Sequence, residues 1–428
     1  MSKKVDALVV GAGPVGLLAA LGMARAGLSV EIIDRAWRSA AQSYACGLHA
    51  ASVERLAALG LEDALMEAGV RVDTVAFYEG AERRGELKIG GNSRYPFLLV
   101  VPQDRLEELL EDALRETGQR VRWGHRLDDL RPGPEAVTAS IEKLTLTSVG
   151  YPFARSEEMV QSAAEVEASY VVGADGAESH VRQILGIPME DAGPASTYEV
   201  IEFDCLSANP REVRISLAPG SADVYWPQQG SVCRWSLELA GKAEASEERP
   251  GKERRAVVML DDEPDAEARE QLTRELAARS PWFVAGVREI DWRTTVRFAP
   301  RVASSFGRDR IWLAGDAGHQ ANPIGMQSMN VGLREALDLG TRITGVLRNA
   351  GDPRALPAYG AERREEWKTL LGGSSAVSLL GSAPGWVKGQ RKRVLGWIPG
   401  SGNELPVYLA QLGLALAASS KDHVPSLA

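Results

Sequence analysis

The chain has 428 residues, of which 44% are hydrophobic and 25% are charged, and its formal net charge is −9. This composition is typical of a folded globular enzyme and excludes a disordered or fibrous chain, while the length suggests two or three domains. The acidic balance argues against a nucleic-acid partner, because phosphate contacts require a face rich in Lys and Arg. The three cysteines and five histidines are scattered, so we expect neither a disulfide framework nor a metal site.

The N-terminal sequence runs directly into an apolar strand and leaves no room for a signal peptide. The longest apolar stretch, around Val407–Ala418, is roughly half as long as a membrane-spanning helix. We therefore expect a cytoplasmic protein without a transmembrane segment.

The first elements form a βαβ unit. Val5–Val10 is a continuous apolar run, as expected for a strand buried on both faces of a parallel sheet. A helix follows over Pro14–Ala26 and ends at Gly27, a residue that suits a helix C-terminus. A second strand, Leu28–Ile33, ends at Asp34.

The later elements alternate between helices and two kinds of strand. In chain order we predict a helix over Ala51–Leu59, short strands over Val70–Val101, a helix from Gln103, strands over Glu135–Val172, strands over Ser196–Trp235, a helix over Asp265–Ala278, a strand over Ile311–Ala314, a helix over Gln327–Leu347, and a helical tail. A nucleotide-binding sheet is therefore interrupted by a mostly antiparallel sheet, and the chain returns to the first domain near residue 290.

The turn between the first strand and helix carries a glycine motif. It consists of Gly11, Ala12, Gly13, Pro14, Val15 and Gly16. Gly11 permits the tight turn, Gly13 lets the backbone approach a pyrophosphate, and Gly16 allows close helix–strand packing. The helix N-terminus favours the phosphates, and Asp34, about 20 residues on, can accept hydrogen bonds from ribose hydroxyls. The motif predicts dinucleotide binding; glycines present for packing alone would leave Asp34 unexplained.

Two further segments separate FAD from NAD. Residues 170–182 read YVVGADGAESHVR, and residues 310–339 read RIWLAGDAGHQANPIGMQSMNVGLREALDL. With these segments the chain resembles the single-component flavin-dependent aromatic hydroxylases of the p-hydroxybenzoate hydroxylase type. The resemblance extends over about residues 3–370, with the motifs in the same order and spacing.

The resemblance implies an α/β fold in which a Rossmann-like FAD-binding domain is interleaved with a mostly antiparallel substrate domain, followed by C-terminal helices. It places the FAD-binding domain at 1–75, 101–190 and 291–355, the substrate domain at 76–100 and 191–290, and the helical region at 356–428.

The resemblance also assigns the cofactor site. In that family Asp175 lies in a motif for flavin and nicotinamide, Asp316 hydrogen-bonds the ribityl chain, and Pro323 to Asn330 wrap the flavin ring above a helix N-terminus. Such an N-terminus stabilises the negative charge of reduced flavin. Together the motif and the resemblance predict FAD contacts at Gly11, Gly13, Pro14, Val15, Gly16, Asp34, Arg35, Gln103, Leu127, Asp175, Asp316, Pro323, Gly325, Gln327, Ser328, Met329 and Asn330.

The substrate is expected between the flavin and the antiparallel sheet. Gly47 and His49 belong to a G-L-H stretch that resembles the one beside the isoalloxazine, and His49 and His319 have packing or backbone-bonding roles as alternatives to catalysis. The candidate lining residues are Phe97, Tyr225 and Trp226, with Tyr78 and Trp235, although such aromatics also fill cores. Cys46 is interpreted as a small buried hydrophobe.

The resemblance implies a monooxygenase. NADPH or NADH reduces the flavin transiently, O₂ adds at flavin C4a, and the hydroperoxide transfers one oxygen atom to an aromatic or other electron-rich small molecule. The cofactor performs the chemistry, so no acid–base dyad is required, and the sequence identifies no catalytic residue.

The chain departs from the family pattern at Tyr44 and in the flavin-wrapping loop. Tyr44 stands where relatives carry an arginine that contacts FAD, and Gly325-Met326-Gln327-Ser328-Met329-Asn330 replaces the usual G-G-Q-G-M-N. We expect weaker cofactor binding or altered flavin movement.

Several alternatives stay open. An oxidase or reductase (saturase) of the same fold is one; a halogenase is disfavoured, because only Gly396–Pro399 resembles its W-x-W-x-I-P motif. A non-catalytic flavin-dependent binding protein is another. The basic run Lys388, Arg391, Lys392 and Arg393 is either a solvated face or a peripheral membrane contact. The sequence leaves the oligomeric state open.

Overall fold

The computed structural model describes residues 3–38, 45–90, 93–149, 155–207, 210–239, 266–348, 351–352 and 354–417. Tyr44 lies outside these ranges, so its role stays a prediction. Within the described residues no helix combines the length and apolarity that crossing a membrane requires.

An eight-stranded sheet forms the first layer, and its centre is parallel. Its strands run, from edge to edge, Gly307–Arg308, Ile311–Leu313, Arg155–Gly173, Lys3–Val10, Val30–Asp34 and Val121–Trp123. The antiparallel strand Val137–Val149 pairs with Arg155–Gly173 and in turn with His125–Pro132. The apolar run predicted at the N-terminus is the central strand, and it is buried because strands flank it on both sides.

A seven-stranded sheet forms the second layer. Its order is Val287–Phe298, Ser196–Cys205, Val232–Glu238, Ser221–Pro227, Val213–Ala218, Thr74–Glu79 and Glu82–Lys88, and all its pairings are antiparallel except that of Val213–Ala218 with Thr74–Glu79. In the chain, two strands of this sheet come before residues 121–173 of the parallel sheet, and the other five come after them. The interleaved α/β architecture is therefore confirmed.

The helices cover the sheets and include the predicted ones. They are Pro14–Arg25, Ala50–Ala58, Glu62–Ala68, Gln103–Glu116, His180–Ile184, Ala266–Arg279, Gln327–Arg348, Ala355–Leu371, Gly385–Gly389 and Glu404–Gln411, with 3₁₀ turns at Gly315–Ala317, Gly373–Ser375 and Val394–Trp397. Smaller sheets join Gly47–Leu48, Leu98–Val100 and Val70–Val72; Met189–Asp191, Arg301–Ala303 and His319–Gln320; and Val377–Leu379 with Leu414–Leu416.

The segment after residue 370 links both layers. The Trp386 ring lies 4.8 Å from the Phe77 ring of the antiparallel sheet, and Arg393 forms an ion pair with Glu238 of the same sheet. The Gly396 carbonyl accepts a hydrogen bond from the Gly325 N–H at 3.0 Å. The tail therefore supports the loop that was predicted to wrap the flavin.

The basic run within this tail is turned partly inward. Arg391 donates a hydrogen bond to the Val377 carbonyl, and Arg393 is held by Glu238, whereas Lys388 and Lys392 are exposed. Two of the four basic side chains, Arg391 and Arg393, therefore make contacts within the protein.

We expect Trp386→Ala to lower the free energy of unfolding by about 3 kcal/mol, because the indole is buried between tail and sheet. Urea denaturation measures this change. Leu146→Ala, at a side chain that is 53% exposed, is the control and should have little effect; equal losses would contradict the proposed packing role of the tail.

Candidate functional site

The glycine motif lies at the carboxyl end of the central strand. A Cβ on Gly11, which has φ +102°, would overlap the Ala174 carbonyl, and a Cβ on Gly16 would overlap the Gly11 carbonyl. A Cβ on Gly13 would meet no atom within 4 Å. Two glycines therefore permit close packing, and the third faces open space before the N-terminus of helix Pro14–Arg25, which is the arrangement that a bound pyrophosphate requires.

Asp34 closes the same loop. Its carboxylate accepts hydrogen bonds from the Ala12 and Ala36 N–H groups, both at 2.7 Å. Each carboxylate oxygen keeps acceptor capacity for a ribose hydroxyl. The neighbouring Arg35 is 70% exposed at its side chain and lies 3.7 Å from Glu158.

The turn at Gly124 lies close to the Asp34 loop. The Gly124 N–H donates to the Ala36 carbonyl at 2.7 Å, which brings this turn beside Asp34. The side chain of Leu127 packs into an apolar cluster beneath the parallel sheet. Gln103, at the start of helix Gln103–Glu116, donates from its amide to Glu107 at 2.7 Å.

Asp175 has a local role in the structure. Its carboxylate accepts hydrogen bonds from the Ser179 hydroxyl at 2.5 Å and the Val181 N–H at 3.0 Å, and thus caps the short helix His180–Ile184. Burial raises the pKa of Asp175 in spite of these bonds. Any contribution to a cofactor depends on the turn that the carboxylate holds beside Gly11.

Asp316 lies across the site from the phosphate loop. It follows Gly315, at which a Cβ would lie 3.0 Å from Val15 of the motif helix. Protein surrounds the Asp316 side chain closely, although the side chain stays accessible to solvent. It therefore faces a concavity. Removal of part of its surrounding solvent raises the pKa of Asp316. Residues about 300 positions apart therefore line one cleft, and a dinucleotide fits the donors and acceptors present.

A buried polar chain leads from Asp316 into the core. The Ser328 hydroxyl donates to Asp316 at 3.0 Å and contacts His319 Nδ1 at 3.4 Å. His319 Nε2 lies 2.9 Å from Glu335 Oε2, and the His319 ring stacks on Trp367 with centroids 3.8 Å apart. Both His319 and Glu335 are fully buried.

Glu335 is held as an anion by its donors. Burial by itself would raise its pKa, but His319 and the N–H groups of Gly315 and Trp367 hold the pKa of Glu335 below its ordinary value. This carboxylate therefore receives the His319 Nε2 proton, and Nδ1 is left to face Ser328.

The Ser328 hydroxyl joins the two ends of this chain. It donates its one hydrogen to Asp316, and its oxygen lies 3.4 Å from His319 Nδ1. Arg182, on the short helix His180–Ile184, donates to the Ala317 carbonyl of the same turn at 2.9 Å. Ser328 therefore links the Asp316 carboxylate to the buried pair of His319 and Glu335.

Contacts with the C-terminal tail and with the Gly47 segment hold the start of helix Gln327–Arg348 and the loop before it. The Gln327 amide donates to the Leu395 and Ile398 carbonyls at 3.2 and 3.4 Å, and the Asn330 amide donates to the Gly47 carbonyl at 2.9 Å. Pro323 is half-buried, and Met329 is buried. The Gln327 and Asn330 side chains thus position backbone. The N–H groups of Ile324, Gly325 and Met326 in the loop donate to protein oxygens as well, so contacts within the protein fix the loop.

Met326 has an unusual conformation for its type. Its φ is +52°, a region that favours glycine, and it stands where the family pattern has glycine. Its sulfur occupies the space that a Cβ on Gly47 would need. The departure from the pattern is accommodated by a glycine on the facing segment.

His49 joins the facing segment to this loop. Its backbone N–H donates to the Asn330 side-chain oxygen at 2.7 Å, and its Nε2 lies 2.9 Å from the Gly325 carbonyl. Burial lowers the pKa of His49 to about 4, so the imidazole is neutral at pH 7. Burial likewise raises the pKa of Cys46 to about 11, which leaves an unreactive thiol.

The structure separates the predicted substrate-lining aromatics. Trp226 packs with the main core, on the face where Arg234 donates to the Ala45 carbonyl at 3.2 Å. Tyr225 and Trp235 pack instead into the cluster beneath helix Ala266–Arg279. Phe97 is half-buried under the Arg71 guanidinium, and Tyr78 packs on Trp282. Trp226 and Phe97 therefore lie on the side of the Gly47 segment, and Tyr225 does not.

Sequence reasoning missed Glu335 and Trp367. Glu335 had one available signal, because it is a lone carboxylate on the buried stripe of helix Gln327–Arg348. A charge on an apolar face requires a partner.

Comparison with known proteins decides the family. A family model described as FAD binding domain matches residues 4–372. The chain belongs to this family. It is an enzyme of the class A FAD-dependent monooxygenases, and the predictions of family and of FAD as cofactor are confirmed.

Curated relatives of this monooxygenase cover most of its length. It is 27% identical over 393 residues to a 12-dehydrotetracycline 5-monooxygenase/anhydrotetracycline 6-monooxygenase from Streptomyces rimosus, with 88% of this chain and 70% of the relative covered. It is also 27% identical over 412 residues to pentachlorophenol 4-monooxygenase from Sphingobium chlorophenolicum, covering 91% and 70%.

Solved structures share the fold. The monooxygenase superimposes on p-nitrophenol 4-monooxygenase from Pseudomonas putida with a TM-score of 0.70 at 20% identity, covering 96% of this chain and 97% of the other. A ternary complex of aklavinone-11 hydroxylase with FAD and aklavinone gives a TM-score of 0.69 at 21% identity, covering 96% and 73%.

Alanine substitutions at two of the motif glycines should have different effects, one on FAD binding and the other on folding stability. We expect Gly13→Ala to fold with an unchanged melting temperature but to bind FAD at least tenfold more weakly, because its methyl group enters only the space left for the pyrophosphate. Gly16→Ala should lose about 2 kcal/mol of folding stability, because its methyl overlaps backbone. Flavin fluorescence titration and thermal denaturation measure the two effects; tight FAD binding by Gly13→Ala would exclude that loop from the site.

The hydrogen bond from the Ser328 hydroxyl to Asp316 should affect the pH dependence of FAD binding. The resemblance implies that Asp316 hydrogen-bonds the ribityl chain; an ionised carboxylate would accept that bond, so FAD affinity should fall as pH drops through the pKa of Asp316. The Ser328 hydroxyl helps to lower that pKa. In Ser328→Ala the fall should therefore begin at a higher pH, and affinity at neutral pH should be about fivefold weaker. Ser328→Thr, which keeps the hydroxyl, should behave as the unmodified protein; identical pH profiles for all three proteins would remove the coupling.

Proposed function

We propose that this enzyme inserts one oxygen atom from O₂ into an aromatic small molecule, with NADPH or NADH as the reductant of its FAD. The supporting observation is a single cleft that carries a phosphate-binding helix N-terminus with Asp34 at one end and Asp316 with the Gly325–Ser328 loop at the other. The relatives that act on tetracycline precursors and on pentachlorophenol favour an aromatic substrate.

The chain's own residues bind and orient. Gly13 and the first N–H groups of helix Pro14–Arg25 would hold the pyrophosphate, Asp34 a ribose, and Asp316 the ribityl chain. The N-terminus of helix Gln327–Arg348 would face the pyrimidine end of the ring. When bound, FAD supplies the redox chemistry: reduction by NAD(P)H and activation of O₂ for transfer of one oxygen atom.

The substrate would lie between the Gly47–His49 segment and the inner face of the antiparallel sheet. Trp226 and Phe97 would provide apolar contact there, and the neutral His49 would add no charge. The ion pair of buried Arg234 with half-buried Glu202, at 2.6 Å, fixes the sheet against the backbone that precedes Gly47. Aromatic side chains and an uncharged imidazole would suit an aromatic ring.

Asp316→Ala tests the cofactor assignment. We expect FAD to bind about 10- to 150-fold more weakly, since a hydrogen bond to a charged group contributes about 1.5–3 kcal/mol. The ratio of flavin absorbance to protein absorbance after dialysis gives the occupancy. Full FAD retention would place the ribityl chain elsewhere.

Ligand-stimulated NAD(P)H oxidation tests the reaction. We expect at least one phenol, quinolone or polyketide-like aromatic to accelerate oxidation and to yield a product heavier by one oxygen atom, labelled when ¹⁸O₂ is supplied. A product that differs only in hydrogen would instead indicate an oxidase or reductase. An oxidation rate that no aromatic compound changes would favour the non-catalytic binding protein.

A further inference from the structure

A two-stranded arm extends from the parallel sheet. It consists of residues 144–149 and 155–160, which belong to two antiparallel strands of that sheet and pair with each other. On each side the neighbouring strand of the sheet stops short of the arm, at Lys143 on one side and at Val166 on the other. Within the described ranges, no third strand therefore pairs with the arm.

The arm has little support from the rest of the fold. A two-stranded ribbon is only marginally stable in water, whereas three or more strands with an apolar face are stable. Three apolar side chains of the arm, Leu146, Met159 and Val160, are 53%, 50% and 46% exposed. A further strand along one edge would add backbone hydrogen bonds and widen the ribbon.

The two edges of the arm differ in charge. Residues 144–149 read LTLTSV and contain neither a charged residue nor a proline, whereas residues 155–160 contain Arg155, Glu157 and Glu158. Charged residues and prolines on an edge strand prevent its pairing with another chain. The edge formed by residues 144–149 lacks this protection.

The other long edge strands of the two large sheets are protected by charge. The outer strands of the antiparallel sheet read ERRGELK and VREIDWRTTVRF, and strand His125–Pro132 at the side of the parallel sheet reads HRLDDLRP. The remaining edge strands, Gly307–Arg308 and Val121–Trp123, are short. In the described part of these sheets, residues 144–149 thus form the longest uncharged edge.

Backbone direction fixes the register that a partner strand can take. The Leu144 N–H donates to the Gly124 carbonyl at 2.8 Å, on the side away from residues 155–160. Since backbone groups alternate between the two sides of a strand, the N–H and C=O groups of Leu146 and Ser148 point to the same side. The Gly124 turn occupies the place beside Leu144, so Leu146 and Ser148 are the residues with which a partner can pair.

We propose that the enzyme forms a homodimer in which residues 144–149 of two copies pair antiparallel about a two-fold axis at Thr147. Leu146 of each copy pairs with Ser148 of the other, and each such pair exchanges both of its backbone hydrogen bonds. Thr147 lies opposite its own equivalent, a cross-strand pair that stabilises a sheet. The inference is independent of the proposed oxygenation.

A second copy suits this edge better than a different edge of the same protein. The two-fold arrangement brings no charged residue of either strand opposite another, and it closes after two copies. Pairing of residues 144–149 with one of the other long edges would place charged side chains along the ladder. It would also be a head-to-tail contact, which continues from copy to copy without closing.

Sedimentation velocity of the FAD-loaded enzyme, over about 1–100 μM protein, measures the association. We expect a dimer at the highest concentration, with slower hydrogen exchange of the amides in residues 144–149 there than at the lowest. A monomer over the whole range overturns the inference and leaves this edge to a strand of a different protein.

Two substitutions of one residue test the backbone pairing. Leu146→Pro removes the N–H that each copy donates, and the loss of two hydrogen bonds should raise the dissociation constant of the dimer at least about tenfold. Proline is tolerated at an edge position whose N–H faces away from the neighbouring strand, so the arm should stay intact. Leu146→Ala keeps the N–H and is the matched control, which should dimerise as the unmodified enzyme does.

Opposite charges at Thr147 test the two-fold axis. Thr147→Lys and Thr147→Glu should each dimerise more weakly than the unmodified enzyme, because like charges then lie opposite each other. An equimolar mixture of the two variants should dimerise more tightly than either variant alone. A mixture that is no tighter, or equal dimerisation by Leu146→Pro and Leu146→Ala, places the contact elsewhere and overturns the inference.

Melting temperature and FAD content of each variant separate loss of the dimer from loss of the fold. If Leu146→Pro fails to fold, the mixture of the two Thr147 variants decides. Failure of the dimer leaves FAD occupancy and NAD(P)H oxidation unchanged, and these two measurements test the proposed function separately.

Discussion

The site depends on the close approach of three backbone turns at the carboxyl ends of the parallel strands. The Gly11 turn lies against Ala174, and the Gly315 turn lies against Val15, at distances that side chains would prevent. Parallel strands end at the same edge of a sheet, so turns far apart in sequence meet there. The Gly11 turn meets the backbone of Ala174, and the Gly315 turn meets the Val15 side chain, so the Asp34 and Asp316 carboxylates are brought to the same edge of the sheet.

The cleft is supported by polar groups that are themselves buried. Glu335 receives hydrogen bonds from Gly315, Trp367 and His319, and thereby fixes both the turn before Asp316 and the ring that faces Ser328. A buried network of this kind is favourable only when its members are satisfied, so it specifies one arrangement of the turn. Ser328, which stands where the family pattern has glycine, extends this network to the Asp316 carboxylate.

The tail has a comparable supporting role. Its carbonyls at Gly396 and Ile398 accept from Gly325 and Gln327, while Trp386 and Arg393 contact the antiparallel sheet. The loop that was predicted to wrap the flavin is thus supported by a segment that also contacts the antiparallel sheet. A change in the packing of either sheet can reach the loop through this segment.

The sequence by itself determined the βαβ unit, the interleaved sheets and the cofactor, because the glycine motif, Asp34 and Asp316 act within local turns whose geometry neighbouring residues set. Both Tyr225 and Trp226 were predicted at the substrate, whereas neighbouring residues of one strand point to opposite faces of the sheet. Only the tertiary structure decided which face helix Ala266–Arg279 covers and that Glu335 meets His319. Those outcomes depend on contacts between distant segments, and their free energies come from burial and pairing that no local pattern records.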